Sequence, residues 1–525
     1  MTTTGPDATA APSEPDAPSD GLPRRFGINA VMNYAASAGN AVYSLAVIPL
    51  IVRGLGKSAF GVWAIATSIT SYLELFNLGF GAATTKKVAE DAGRRPDRVR
   101  VTINTGFFVL VVFGVIALVT STVMAFGTPH WFDVPDGLRD EAVLAVLALG
   151  VLLAASVPGD SFGGALAGHQ RFDLLSLSNL VQVLLTSIAS VVVIVLGGGI
   201  VPLAVTMMVI GLAMHPLRWA MLRRVAPDLR LSPRYVDRRE VRSMSALSGW
   251  FLVSQLSGTV IFRIDTVVVG AVLGVEAAAV YAVGSKLAFF CQRAARDLAT
   301  LLMPHATSLY HSGQEHRVRE VLLDGARLSI LMTFPAAIVL AVMSRETLQI
   351  WVGDGYSGGA TVLLVLALTV AVRAFLEPTF AMLTAVGRVR TMALTVLAEA
   401  VVNSVASVIL AREIGLVGVA YGTLIGFVTV LAPMWVYSVR VLGVPLPDFA
   451  RASFVPHLLP AALTTAVVIA LNVVLPVGLV WLVAVAAIAL AVYWTTYIRV
   501  GATASERTRL SRALEALRRR ARPTA

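Results

Sequence analysis

Fourteen stretches of this chain, each about twenty residues or longer, run on with scarcely a charge. They fall near 27–52, 60–83, 101–126, 142–168, 174–197, 200–220, 246–271, 277–302, 321–343, 359–386, 391–411, 416–438, 455–474 and 478–498. A run of that length crosses the ~30 Å hydrocarbon core of a bilayer as a helix. A membrane β-barrel would instead show strands of about ten residues alternating in polarity. Charged residues make up 14% of the chain, against roughly 25% in soluble domains. With a mean hydropathy of +0.78, the chain is expected to be an all-α polytopic membrane protein of about 14 transmembrane helices.

Lysine and arginine collect on the cytoplasmic side of such proteins. With the N-terminus cytoplasmic, 31 of the 42 basic residues fall in cytoplasmic segments and five opposite (Arg53, Lys57, Arg139, Arg345, Arg412), with six inside spans. Both termini are therefore expected in the cytoplasm, and the protein in the cell (plasma or inner) membrane. The net charge of +11 comes from 38 arginines and 4 lysines, most between apolar runs. There they set topology and meet anionic membrane lipids, so no nucleic-acid partner is expected. The single cysteine, Cys291, allows no intrachain disulfide.

Residues 1–25, rich in Pro, Ala and Asp, are expected to be a disordered tail rather than a signal peptide. The segment 218–242, with eight arginines, reads as a linker between halves. Residues 505–522 place Leu510, Leu514 and Leu517 on one helical face among arginines. That is a basic amphipathic helix on the inner surface, or else a solvated charged tail.

Part of the pattern repeats at an offset of 218–219 residues. Leu55-Gly56 and Val62-Trp63-Ala64 return as Leu273-Gly274 and Val280-Tyr281-Ala282. Gly168-His169-Gln170-Arg171 returns as Gly387-Arg388-Val389-Arg390. A duplicated six-helix unit is expected, with a substrate site between the copies. The expected division is 1–25 tail, 26–243 first six-helix lobe, 244–440 second lobe, 441–500 two additional helices and 501–525 cytoplasmic tail.

These residues also carry a family likeness. Ile48-Pro49-Leu50-Ile51-Val52-Arg53-Gly54-Leu55-Gly56, continuing through Phe60-Gly61-Val62-Trp63, resembles the first two helices of the polysaccharide flippases of the multidrug/oligosaccharidyl-lipid/polysaccharide exporter superfamily. Asn77-Leu78-Gly79-Phe80 with Lys86 is similar to their D-L-G…basic segment, with Asn where Asp is common. Arg263-Ile264-Asp265, Leu273-Gly274, Tyr281-Ala282, Lys286 and Met303-Pro304 resemble their seventh and eighth helices, and those of the related lipid II flippases. The resemblance covers residues 26 to 440. It implies a V-shaped pair of six-helix lobes working by alternating access, with a cationic cavity in the polysaccharide branch.

Ionised groups inside a hydrocarbon slab mark function unless they are paired. On the eighth span Lys286, Arg293 and Asp297 fall within roughly 40° of one another, a stripe about 16 Å long with Arg296 beside it. Arg263 and Asp265, two apart, must look to different partners. Arg373 and Glu377 share a face of the tenth span, and Glu399 and Asn403 one of the eleventh. The first half contributes Glu74 and Asp160. The bland reading is that such charges pair across helices and pin the bundle. For Arg263 and Lys286 substrate contact is preferred, because basic groups outnumber acids on the eighth span and a leftover cation needs an anion.

On the first span Asn29, Asn33, Ser37, Asn40 and Ser44 fall within about 80°. They are either interhelical glue or a cavity wall for sugar hydroxyls. Gly39 and Pro49 would let this helix bend. The seven histidines are scattered without metal-ligand spacing, and no G-x-S-x-G or P-loop occurs, so neither cofactor, metal nor catalysis is expected.

The expected activity is therefore transport: a flippase for a polyprenyl-diphosphate-linked oligosaccharide, its diphosphate held by Arg263, Lys286, Arg293 and Arg296, with H+ or Na+ coupling and contact with glycan-assembly enzymes. The candidate site is completed by Asp265, Asp297, Arg373, Glu377, Asn33, Asn40 and Glu74. A cation-coupled drug or metabolite extruder ranks second, since cationic drugs want an acidic cavity. A polysaccharide polymerase or ligase ranks third, for want of a long external loop.

Overall fold

In hydrocarbon each backbone N–H and C=O must find its partner within the segment, so long apolar runs become helices. The computed structural model describes residues 38–503, apart from 78, 93 and 477, together with 506–508, and no strand occurs among them. The tail 1–25, Asn29, Asn33, Ser37 and residues 509–522 of the basic tail lie outside the described residues.

The first half of the chain comprises α1 (Ala38–Leu55), α2 (Lys57–Leu73), α3 (Phe80–Asp91), α4 (Pro96–Trp131), α5 (Arg139–Gly168), α6 (Phe172–Val195) and α7 (Ile200–Val225). The second comprises α8 (Arg238–Leu273), α9 (Val275–His311), α10 (Glu315–Val342), α11 (Ser344–Val352), α12 (Ala360–Ala374), α13 (Leu376–Ala385), α14 (Val389–Ile414) and α15 (Leu416–Val441). Then come α16 (Leu446–Val474) and α17 (Leu479–Gly501). Twelve helices among the described residues are long and apolar enough to cross a membrane. α8 and α9 fall outside that dozen although they have 36 and 37 residues. α9 carries Glu276, Lys286, Arg293, Arg296 and Asp297, which make it the polar member of the bundle.

Two glycine turns organise the packing. Gly56 and Gly274 join α1 to α2 and α8 to α9 in the same positive-φ conformation. Just beyond them α2 and α9 cross so closely that a Cβ on Gly61 would collide with the Val275 carbonyl. Small residues let helices approach in this way where lipid supplies no hydrophobic drive. The second span is broken: α2 ends in a 3-10 turn at Glu74–Asn77, and Gly79 at φ 72 starts α3. Asn77 donates its amide to Asp160 of α5 at the break, which ties the second span to the fourth there.

The basic linker is shorter than its sequence suggested. α7 runs to Val225, so Arg218 lies on a helix and donates to Ser178, Asn179 and Gln182 of α6 at 3.2, 2.9 and 3.1 Å. Outward-facing apolar stripes such as Val112, Val115, Val119 and Val123 on α4 recur at helical spacing, as a lipid-facing surface requires. α16 and α17 pack on α10 around His457, whose ring stacks on Tyr497 at 4.6 Å and bonds Tyr493 at 3.0 Å. Beside them Thr503 and Glu506 form a reciprocal capping box, with bonds of 2.7 and 3.3 Å, at the root of the tail.

Candidate substrate cavity

Between the halves lies a cavity of about 1050 Å³. Its first-half wall is uncharged apart from Glu74: Ser44 of α1, then Trp63, Thr67, Ser68 and Ser71 of α2. Thr67, Ser71 and Glu74 recur at spacings of four and three, so one face of α2 and its 3-10 extension points inward. Thr67 donates to the Trp63 carbonyl and Ser71 to the Thr67 carbonyl, both at 3.0 Å. Across the cavity Ser285 donates to the Ala282 carbonyl at 3.3 Å. A hydroxyl has one donor and two lone pairs, so these three offer the cavity acceptors.

The second-half wall is charged. Arg263 of α8, Lys286, Arg293, Arg296 and Asp297 of α9, Arg373 of α12 and Glu377 of α13 all line it. The α9 stripe predicted from helical spacing faces the cavity as one strip, with Phe289 and Phe290 between its charges. Arg293 and Asp297 form an i,i+4 pair at 3.8 Å. Arg263 and Lys286 are exposed to the cavity, and among the described residues neither forms an ion pair or a side-chain hydrogen bond.

Four predicted site residues sit differently from expectation. Asp265 is absent from the cavity wall: two residues along a helix is roughly 200° of rotation, which turns it into the core. There its carboxylate accepts from Thr423 at 2.7 Å, Tyr281 at 2.8 Å and Ser407 at 3.2 Å. Arg373 and Glu377 do not pair with each other, because the helix breaks between α12 and α13. Pro378 lacks the N–H that would bond the Ala374 carbonyl, and the break falls in that turn. Arg373 instead pairs with buried Glu399 of α14, whose second oxygen lies 3.3 Å away. Glu377 accepts from Gln292 at 2.8 Å. Of the first-span stripe, Ser44 lines the cavity, whereas half-buried Asn40, one turn back, does not.

Sequence reasoning missed the α2 hydroxyls, Gln292 and the aromatic lining of Trp63, Phe289 and Phe290. The spacing of Thr67, Ser71 and Glu74 was the signal that could have found the first group.

One end of the cavity is latched by contacts between the halves. Glu276, in the first turn of α9, accepts from Ser58 at 2.8 Å and lies 3.6 Å from Lys57, both in the first turn of α2. A carboxylate suits two helix N-termini at once. Arg53 donates at 2.6 Å to the carbonyl of Ile350, one of those left over in the last turn of α11. Pro49 cannot donate to the Leu45 carbonyl, and the Trp351 indole donates to it at 2.9 Å.

The chain is 23% identical to the uncharacterized membrane protein EpsK of Bacillus subtilis (strain 168) over 424 residues, 78% of this chain and 83% of that one. It is 21% identical to a putative O-antigen transporter of Shigella flexneri over 407 residues, 76% of this chain and 95% of that one. Among solved structures, an inward-facing multidrug resistance MATE family transporter of the MOP superfamily superposes with a TM-score of 0.68 at 14% identity, covering 80% of this chain and 97% of that one. The lipid II flippase MurJ in an inward closed conformation gives 0.67 at 13% identity, covering 88% and 97%. The fold is thus the one these transporters share, and the family model described as polysaccharide biosynthesis protein matches residues 50–360. By that match over more than half its length, the chain belongs to the polysaccharide biosynthesis protein family.

Proposed function

We propose that the protein is a flippase that moves a polyprenyl-diphosphate-linked oligosaccharide from the inner to the outer leaflet, for cell-surface polysaccharide synthesis. The observation that carries this reading is the asymmetry of the cavity. Two cations without ion pairs among the described residues, Arg263 and Lys286, face a wall of hydroxyls and Trp63. A diphosphate is the anion two such cations hold, and Arg293 and Arg296 extend the strip beside it. Free sugar hydroxyls are the donors that Thr67, Ser71 and Ser285 accept from, and the polyprenyl chain stays in lipid. The putative O-antigen transporter and the lipid II flippase among the similar proteins support this cargo class. A cationic drug fits the cationic wall poorly, so drug extrusion ranks below.

In the orientation implied by the arginine distribution, both termini are cytoplasmic and the latched end faces outward. Alternating access then consists of releasing the latch while the cytoplasmic end closes. Moving about two negative charges outward is favoured by an inside-negative potential by roughly 4–5 kcal/mol per 100 mV. A Na+ or H+ gradient would act at Asp265, a buried carboxylate that meets three hydroxyls and, among the described residues, no cation within 4 Å. It joins α8 to α9, α14 and α15, so its occupancy would bear on how those helices pack. The partners on this reading are membrane lipids and, at the inner face, the enzymes that assemble the glycan.

Depletion of the protein should leave complete repeat units on their lipid carrier in the inner leaflet. Normal delivery to the outer leaflet after depletion would overturn the reading. Covalent lengthening of a lipid-linked sugar by the purified protein would point to a polymerase instead.

A further inference from the structure

The cavity holds three carboxylates on its wall, and two are engaged. Asp297 lies 3.8 Å from Arg293, and Glu377 accepts from Gln292 at 2.8 Å. Glu74 is exposed to the cavity, and its side chain has no ion pair or hydrogen bond among the described residues. It stands on the opposite half from Arg263 and Lys286, which also lack ion pairs there. Glu74 also begins the 3-10 turn at the break in the second span, with positive-φ Gly79 beyond it, so it does not sit within a continuous helix.

We propose that Glu74 is the counter-anion of the empty carrier, which pairs with Arg263 and Lys286 across the cavity until a diphosphate displaces it. This rests on the flippase reading above. Closing the cavity around two unpaired cations would desolvate both without compensation, at several kcal/mol each. A carrier that delivers its anion must nevertheless return empty. Glu74 supplies one negative charge from the facing wall, enough to soften that penalty. It is weaker than a doubly charged diphosphate, which therefore wins the same cations. The α2 wall thus acts as a competitor for the cation site as well as a bed for the glycan.

The test uses the purified full chain in lipid nanodiscs and inorganic diphosphate as the probe. Glu74→Gln should bind diphosphate about three- to tenfold tighter than the wild type, as expected when a partly solvated ion pair stops competing. Glu74→Asp, which keeps the charge, should bind near the wild-type level, and Lys286→Gln should bind far more weakly. Equal or weaker binding by Glu74→Gln, with the wild type binding normally, overturns the counter-anion role and leaves the flippase reading intact. Failure of the wild type and Glu74→Gln alike to bind diphosphate overturns both. A second readout follows the empty carrier in proteoliposomes. With Thr67→Cys in a Cys291→Ser background, an impermeant maleimide added from the latched side labels the cavity only when that side opens. Glu74→Gln should lower this labelling without diphosphate and recover it with diphosphate; undiminished labelling overturns the proposal.

Discussion

Gly56 and Gly274 adopt the same backbone conformation, φ 77 and ψ 175 against φ 86 and ψ 172, each immediately before a helix. Two residues beyond each, Ser58 and Glu276, which are 218 residues apart, hydrogen-bond to one another. Positions separated by the 218-residue offset therefore meet at the latch, as the expected duplication would place them on an axis relating two copies.

That conformation is nearly exclusive to glycine, and a Cβ at either position would meet nothing within 4 Å. Any cost of Gly56→Ala or Gly274→Ala is then backbone strain alone, about 1–3 kcal/mol. Thermal unfolding in detergent should show a similar loss for both variants. A large loss for one and none for the other would contradict their equivalence.

The latch pair Lys57–Glu276 is exposed, so charge alone contributes about 0.2–1 kcal/mol. Glu276→Gln should raise maleimide labelling of the cavity from the latched side modestly. The swap Lys57→Glu with Glu276→Lys should bring it part of the way back, since the Ser58 bond is not rebuilt. Gly61→Leu should act more strongly, because its side chain drives into the Val275 carbonyl and wedges α2 from α9.

The cavity cations divide by partner. Lys286→Glu and Arg263→Glu should abolish translocation while the protein stays folded, as judged by its melting profile. Arg373→Gln leaves Glu399 buried and unpaired, which costs about 3–5 kcal/mol, so its main effect should be on stability. Pairing Arg373→Met with Glu399→Leu should restore much of the melting temperature. If Arg373→Gln melts like the wild type, the pair is not a structural pin.

Asp265→Asn removes the one buried carboxylate that joins α8 to α9, α14 and α15. On the coupling proposal, translocation in proteoliposomes should lose its response to an imposed Na+ or H+ gradient. Retention of the full gradient response would remove Asp265 from that role.

Helix positions and the α9 stripe were legible in the sequence because both follow from period and length. Direction was less legible. Asp265 looked like a cavity residue because its charge is written in the chain, whereas the rotation that buries it is set by Tyr281, Ser407 and Thr423. The split of Arg373 from Glu377 needed Pro378 to be weighed as a breaker of the turn before it. Thr67 and Ser71 were missed because hydroxyls are common in membrane helices, and only their spacing with Glu74 sets these two apart.

On the flippase reading, the bonds from Thr67 and Ser71 to their own helix have a consequence for glycan chemistry. With their hydrogens committed to backbone carbonyls, these side chains can greet a hydroxyl but have nothing to give an ester or an ether. Acetylation or methylation of a sugar at that wall would remove a donor without creating a replacement contact, at about 0.5–1.5 kcal/mol for each bond lost. Decorations of this kind would then be better tolerated after the glycan has crossed than before.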